Sequence, residues 1–240
     1  MLFRSVDKVA AQTAYGGSLA GGQIASTILP PTVSGYTKFD DYEATTQPHG
    51  DDTKAKQQLQ LCGQPNGFTV NISARSDRDF EMNAATAVQQ SLAKVGIHTD
   101  IQGFPHSTYG SDFAGVPNYV HQHDLGIMMY GWAADWPDGY GFLQQIVDGR
   151  SIKQAGNSNI EEENNPQVNN LLDQAAASNN ADQRNQIYGQ IDKLVMQDAV
   201  IVPEVYANAL LYRNPETTNV YASEAYGMYD FSTIGVSPSN

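Results

Sequence analysis

The chain has 240 residues, of which 40% are hydrophobic and 16% charged, and its formal net charge is −13. This composition indicates a globular protein with a sizeable core, in one large or two modest domains. The acidic balance, without clusters of Lys or Arg, argues against nucleic acid as a partner and against docking on an anionic membrane. Cys62 is the single cysteine, which excludes an intrachain disulfide.

The first 50 residues are predicted to be one helix followed by irregular chain. The helix covers about Ser5 to Tyr15, begins without a visible cap and ends at a glycine pair. Because it begins so abruptly, Met1 is expected not to be the native start. Residues 18–50 are rich in glycine and proline and are long for a plain connection, so they form either a packed segment that crosses between two lobes or a surface loop.

Strands and helices alternate along the rest of the chain, which predicts an α/β fold. An early strand, helix and strand form one unit whose two strands are expected to be parallel. Cys62 is predicted to lie on the apolar face of the helix over 51–62. In chain order, periodicity predicts helix 51–62, strand 68–73, helix 79–95, strand 97–101, helix 107–113, strand 124–130, helices 139–147, 166–177 and 182–197, and strands 200–206 and 209–213, before a Tyr-rich tail over 221–236.

The segment after the strand predicted over 124–130 is the most informative for function. The strand delivers Tyr130, Trp132, Ala133 and Asp135 before the chain turns at Pro137-Asp138-Gly139. In an open α/β sheet, ligands bind beyond the carboxyl ends of the strands, so these four residues are predicted to form a binding wall. Asp135 would meet a cationic group of the ligand.

Structural explanations compete with this interpretation. Asp135 could be a helix cap or a turn carboxylate, and Trp132 could be a core residue. Asp138 is most simply the aspartate of a Pro-Asp-Gly turn. The polar loop over 157–159 could meet a ligand or only satisfy its own backbone.

Five segments of the sequence, in this order, resemble motifs of one protein family. The family is the peptide/nickel type (family 5) of bacterial extracellular solute-binding proteins that serve ABC importers. The segments are Asp51–Leu59 before Gly67-Phe68, Leu92–Ile97, Asp124–Asp138, Asn165–Asp173, and Val202–Tyr206 with Asn208-Ala209.

The resemblance implies an incomplete lobe with the periplasmic-binding-protein-like (type II) fold. Residues 1–50 would be a helix and a crossing segment, residues 51–202 the ligand-binding lobe, and residues 203–240 the return to the other lobe. An N-terminal half with an export signal and a lipid anchor is expected to be missing. Family members close two lobes around a peptide or another small solute and present it to ABC permease subunits, in the periplasm or at the cell surface. We expect a monomer without a cofactor.

The resemblance also implies roles for individual residues. In peptide-binding relatives the aspartate at the position of Asp135 pairs with the terminal ammonium of the ligand, and Trp132 would be a pocket wall. His106 and Tyr109 are predicted to line the pocket from the preceding helix. The chain departs from the family pattern at Gly139, where proline is frequent, and in the acidic run over 161–163.

Two other kinds of chemistry are considered. His121 and His123 have the spacing of metal ligands on a strand, but no third ligand is indicated, so solvated histidines are predicted and no metal. The alternative function is a carboxylate-dependent, glycosidase-like hydrolase in which Asp135 pairs with Asp138 or Glu204. No nucleophile elbow, phosphate loop or zincin helix is present, which favours binding without catalysis. An oligosaccharide or a metal chelate stays open as the solute.

Overall fold

The structure is a computed structural model that describes residues 2–223 and 226–237, so Met1 and five residues of the predicted return segment lie outside it. A π-helical turn, Tyr109–Phe113, follows α6, and a 3₁₀ turn, Gly149–Ser151, follows α8. The helices are α1 Leu2–Ser5, α2 Lys8–Ala14, α3 Gly17–Ala20, α4 Asp52–Leu61, α5 Asp79–Ala93, α6 His106–Thr108, α7 Pro117–Gln122, α8 Gly139–Val147, α9 Pro166–Ala177 and α10 Ala181–Asp198. The strands are β1 Gly22–Ile24, β2 Thr69–Arg75, β3 His98–Phe104, β4 Leu125–Met128, β5 Val205–Ala207, β6 Thr217–Thr218, β7 Ala222–Ser223, β8 Met228–Tyr229 and β9 Gly235–Val236.

A three-stranded parallel sheet forms the centre of the chain. Its order is β3-β2-β4, and β2 pairs with β3 in register over its whole length. Helix α5 joins β2 to β3 and packs its Ala84, Val88 and Leu92 into the same core as Ile72 of β2. The predicted parallel strand–helix–strand unit is therefore confirmed. Both strands extend further at their carboxyl ends than the pattern predicts.

A second core lies between helices α8, α9 and α10. Leu143, Leu172 and Ile191 are fully buried there, together with Leu29 from the irregular N-terminal stretch. That stretch is therefore packed against the lobe and is not a surface loop. The predicted bounds of α8 and α9 are those of the structure, because a cap residue precedes each helix: the side chains of Asp138 and Asn165 each accept a backbone N–H bond.

Several local predictions are wrong. The Asp7 side chain accepts a hydrogen bond from the Ala10 N–H, so α2 is capped and does not begin abruptly. Helix α4 ends at Leu61, which leaves Cys62 exposed. Residues 209–213 form no strand, and β1, α3 and α7 were not predicted.

Strands β1 and β5 form a separate antiparallel pair although more than 170 residues separate them. Gly22 opens β1 with a φ of 107°, and a Cβ there would lie 2.0 Å from the carbonyl oxygen of Tyr206. Only glycine has both the conformational freedom and the missing side chain that this close pairing needs.

None of the helices in residues 2–223 and 226–237 has the length and apolar character that crossing a membrane requires.

A buried carboxylate attaches the N-terminal stretch to helix α10. Asp192 is fully buried, and its two oxygens accept hydrogen bonds from the backbone N–H groups of Ile28 at 2.9 Å and Leu29 at 3.2 Å. Burial raises the pKa of Asp192 to about 7, while the two N–H donors lower it. Neither amide belongs to a sheet ladder, so this side chain replaces the backbone partners that irregular chain lacks.

We predict that Asp192→Ala lowers the free energy of unfolding by about 2–4 kcal/mol, because two buried amides lose a charged acceptor. Asp192→Asn should cost less, since the amide oxygen still accepts one bond. Chemical denaturation would measure both losses. Gln190→Ala, an exposed change on the same helix, is the control and should stay within about 0.5 kcal/mol of the wild type. A loss no larger for Asp192→Ala than for this control would contradict the assignment.

Candidate functional site

The strand order of the sheet changes direction between β2 and β4, which makes this position the topological switch point of the sheet. From β2 the chain moves outward to β3 and then returns to place β4 on the other side of β2. The crevice at the carboxyl ends of two such strands is where open α/β sheets bind ligands. Arg75 ends β2 on one side of this switch point, and the segment from Tyr130 to Asp135 follows β4 on the other.

A buried ion pair occupies the β2 side of the switch point. The Arg75 guanidinium lies 2.5 Å from the Glu81 carboxylate, and Glu81 also accepts the backbone N–H of Arg75 at 2.8 Å. The guanidinium carbon lies 5.6 Å from the centre of the Tyr130 ring and 5.9 Å from that of Tyr109. The sequence analysis missed this pair, although an arginine at the end of a buried strand, six residues before a carboxylate in the first turn of a helix, is a usable signal.

The three aromatic candidates differ in exposure. Trp132 is half-buried and donates its indole N–H to the Phe142 carbonyl oxygen at 2.8 Å, so it both packs on the core and borders the wall. Tyr130 is half-buried and bonded to Ser158, and burial raises its pKa. Tyr109 is only 1% exposed, and its hydroxyl is bonded to Ser73. Tyr109 therefore supports the wall from below and has no open face for a ligand.

The carboxylate of Asp135 is open. Asp135 and Ala133 are both exposed, and the backbone N–H of Asp135 donates to the Gly141 carbonyl oxygen at 3.0 Å. No hydrogen bond or ion pair reaches the Asp135 carboxylate from the residues that the structure describes. Asp138 is the cap of α8, since its Oδ1 accepts the Tyr140 N–H at 2.8 Å. The capping role considered for Asp135 thus belongs to Asp138.

Gly139 explains one departure from the family pattern. Its N–H donates to Ser34 Oγ at 3.0 Å, and a Cβ at this position would lie 2.5 Å from both the Ser34 carbonyl oxygen and the Tyr188 side chain. A proline would lose the N–H donor and clash with both neighbours. Glycine here lets the turn after the wall dock directly onto the helical core.

His106 lies on the opposite side of the sheet edge from Asp135. It is exposed just beyond β3, its backbone N–H donates to Asp77 Oδ1 at 3.0 Å, and its Nε2 lies 2.7 Å from an Arg78 guanidinium nitrogen. An arginine can only donate, so Nε2 of His106 is the acceptor in this hydrogen bond. Among the described residues Arg78 has no carboxylate partner. The edge therefore has Arg78 beyond β2, beside His106 and Asp77, and the open carboxylate of Asp135 beyond β4.

The polar loop behind Tyr130 satisfies its own backbone. Asn157 donates to the carbonyl oxygens of Gly115 and Lys153, and Asn159 exchanges hydrogen bonds with the backbone of Glu163. Glu161 differs, because its Oε1 is buried without a hydrogen-bond partner among the described residues. Burial raises the pKa of Glu161 to about 8.

The two histidines considered as metal ligands lie apart from the switch point's residues. His121 is on α7 with Nε2 2.6 Å from a Glu162 oxygen, and the His123 ring stacks on Tyr119 with 4.1 Å between centroids. The described part of the chain contains no group of three His, Cys, Asp or Glu side chains that could hold a metal ion.

Comparisons with known proteins identify the family. The model described as bacterial extracellular solute-binding proteins, family 5 Middle, matches residues 7–154. The chain therefore belongs to this family, and its fold is that of a type II periplasmic binding protein, present as a partial lobe.

Individual relatives are considerably longer than this chain. Heme-binding protein A of Haemophilus influenzae is 27% identical over 238 residues, which is 97% of this chain and 40% of that protein. A probable D,D-dipeptide-binding periplasmic protein of Escherichia coli K12 is 29% identical over 177 residues, which is 73% of this chain and 32% of that protein. Among solved structures, clavulanic acid biosynthesis oligopeptide binding protein 2 is 36% identical with a TM-score of 0.92, and the match covers 98% of this chain and 42% of that one.

We predict that Glu161 makes the fold less stable as the pH rises. Its pKa is raised from an ordinary 4.5 to about 8 in the folded chain, so the folded state holds a proton that the unfolded state has lost. Stability is therefore lost as the pH rises through this window. Glu161→Gln should remove that part of the loss and be more stable than the wild type at pH about 9, by about 1–3 kcal/mol.

Denaturation at several pH values between about 5 and about 9 measures this difference. Glu216→Gln, which changes an exposed carboxylate, is the control for the loss of one negative charge. Parallel pH profiles for the wild type and Glu161→Gln would show that Glu161 is not held neutral by the fold.

Proposed function

We propose that this chain forms most of one lobe of the substrate-binding component of an ABC importer. The complete protein captures a peptide-like solute between two lobes outside the cytoplasm and delivers it to a membrane permease. The observation that carries this proposal is the open carboxylate of Asp135 at the switch point of the sheet. The names of relatives support it, since one is an oligopeptide binding protein and another a probable D,D-dipeptide-binding protein.

The division into parts follows the packing. Residues 51–202 hold the sheet and the helical core, and residues 1–50 pack onto them. Among the described residues beyond Asn208, strands β6 to β9 pair with each other in two-stranded ribbons. Leu210, Tyr212 and Phe231 are 79%, 87% and 72% exposed, which is expected of a return segment that packs on the other lobe.

The charges of Asp135 and Arg78 have the signs that would complement the two ends of a short peptide. Asp135 would receive the terminal ammonium, and such a charged hydrogen bond contributes about 1.5–3 kcal/mol. Arg78, oriented by His106, would receive the terminal carboxylate across the edge. Micromolar affinity requires about 8 kcal/mol, so enclosure by the second lobe must supply much of the remainder.

The hydrolase alternative has less support in the geometry. Both partners considered for Asp135 are engaged in structural roles: Asp138 caps α8, and Glu204 is hydrogen-bonded to Tyr15. Prolonged incubation of the complete protein with peptide, followed by mass spectrometry, would reveal any turnover.

We predict that charge removal at the two sites has opposite selectivity. In the complete protein, Asp135→Asn should weaken binding of a free-amine tripeptide about ten- to hundredfold and leave its N-acetylated form almost unchanged. Arg78→Gln should instead discriminate between a free and an amidated carboxyl end. Calorimetry of both variants and the wild type with free, N-acetylated and C-amidated trialanine measures these differences.

Asp138→Ser is the matched control, because serine keeps the helix cap while removing a neighbouring carboxylate. It should bind all peptide forms as the wild type does. If Asp135→Asn weakens free and acetylated peptide equally, Asp135 does not bind the ammonium.

We further predict that the isolated 240-residue chain binds trialanine at least about a hundredfold more weakly than the complete protein, because one lobe gives only half of the enclosure. The same calorimetric titration measures both. Equal affinities would mean that closure between lobes contributes nothing to binding.

A further inference from the structure

The end of the lobe is attached by side chains that the binding site does not use. Lys8 is 2% exposed, and its ammonium donates to the carbonyl oxygen of Ala25 at 3.1 Å and to that of Pro203. One side chain thus holds both the N-terminal stretch and the segment by which the chain leaves the helical core. This segment, residues 203–207, consists of β5 and the two residues before it and is called the exit strand. A buried ammonium is costly to desolvate, and here burial lowers the pKa of Lys8 to about 8.

An anion lies next to this ammonium on the exit strand. Glu204 follows Pro203 directly, and its charge interacts with that of Lys8. It is also hydrogen-bonded to Tyr15, the residue that follows α2. Burial raises the pKa of Glu204 to about 7. The backbone of Glu204 is also engaged, since its carbonyl oxygen accepts the Ala25 N–H at 3.1 Å.

Tyr206 makes the second attachment, two residues further on. Its hydroxyl oxygen accepts the backbone N–H groups of Ser26 at 3.3 Å and Thr27 at 3.0 Å, and it shares a hydrogen bond with Thr27 Oγ1. The exit strand is therefore anchored at Pro203, Glu204 and Tyr206. The N-terminal segment that these residues contact, 25–29, is in turn bonded to Asp192 of α10 through Ile28 and Leu29.

The attachment ends one residue after β5. Ala207 forms the last ladder pair, with Gly22, and Asn208 donates its backbone N–H to the Gly21 carbonyl oxygen at 3.4 Å and its side-chain N–H to that of Leu19 at 3.2 Å. From 209 to 213 the described chain has exposed residues and no regular structure. Segments that absorb the backbone rotation of a hinge are short stretches at the end of an element.

We propose that Lys8 and Tyr206 are anchoring residues that fix the exit strand to this lobe as far as Asn208, so that lobe closure bends the chain immediately after it, over residues 209–213. This inference rests on the proposed two-lobe function. It assigns a role to a buried lysine and to the hydroxyl of a half-buried tyrosine, both outside the ligand-binding wall. It also predicts that residues 203–207 move with this lobe and residues after 213 with the other.

Hydrogen exchange on the full-length protein tests the anchoring directly. In the wild type, amides of residues 204–207 should exchange at least about tenfold more slowly than those of residues 209–213. Lys8→Met, which keeps the aliphatic stem, should accelerate exchange of residues 204–207 about ten- to hundredfold while α9 and α10 stay unchanged. Lys54→Met, at a half-exposed lysine that is paired with Glu43 and not with the exit strand, is the control and should change neither segment.

Two results would overturn the proposal: equal exchange on both sides of residue 208 in the wild type, or unchanged exchange of residues 204–207 in Lys8→Met. If Lys8→Met does not fold, Tyr206→Phe removes the second anchor alone and should accelerate exchange of Ser26 and Thr27, with Tyr212→Phe as its exposed control. Unaltered exchange at those two amides would likewise reject the anchoring role.

A second measurement separates a hinge anchor from a purely structural residue. Tyr206→Phe should change the dissociation constant for trialanine severalfold although it leaves Asp135 and Arg78 untouched, because it alters the closing equilibrium. An unchanged constant would reject the link to closure. If the wild type does not bind trialanine, the proposed solute is wrong, and the exchange experiment still decides the anchoring.

Discussion

The ion pair between Arg75 and Glu81 is the interaction on which the geometry of the candidate site depends. A guanidinium at the carboxyl end of a buried central strand is tolerated only with a neutralising partner, because an unpaired buried charge costs several kcal/mol. Glu81 supplies that partner from the first turn of α5 and also accepts a backbone N–H of the strand. The pair thus fixes the strand end, the start of the following helix and the two tyrosine rings that face the guanidinium.

The consequence for the binding wall is a division between supporting and open groups. Tyr109, Tyr130 and Trp132 have their polar atoms satisfied by the protein, which makes the wall rigid. Asp135, by contrast, presents a carboxylate that has no hydrogen bond or ion pair to the residues that the structure describes. A site that is rigid apart from one open charge is preorganised for a ligand cation, since binding orders little of the protein.

The sequence predicted those features that depend on short-range patterns. Helices α5, α8 and α9 follow from apolar spacing together with an adjacent stop or cap residue, and the parallel unit follows from connection rules. Cys62 was misplaced because a helix boundary shifted by one residue removes the last position from its apolar face. Asp135 lies beyond a strand, as predicted. Which of Asp135 and Asp138 caps α8 depends on which carboxylate reaches the first amides of that helix, and local sequence does not decide this.

Features that depend on distant partners could not be predicted. Strand β1 is three residues long and becomes regular only through β5. Tyr109 looked available for a ligand because nothing local shows that its hydroxyl reaches Ser73 on the central strand. The apolar run after Asn208 resembled a strand, yet none of the described residues forms a ladder with it.

The same distinction between local and distant partners bears on how binding energy reaches the rest of the protein. In the proposed function, one carboxylate and one arginine at the sheet edge would contribute about 3–6 kcal/mol of the about 8 kcal/mol in a micromolar affinity, so enclosure would supply the rest. Enclosure is effective only if the lobe moves as one body, because a soft exit strand would let closure occur without tightening the wall. The satisfied backbone between Ala25 and Leu29, held by three side chains from three different elements, gives this lobe the stiffness that such a mechanism requires.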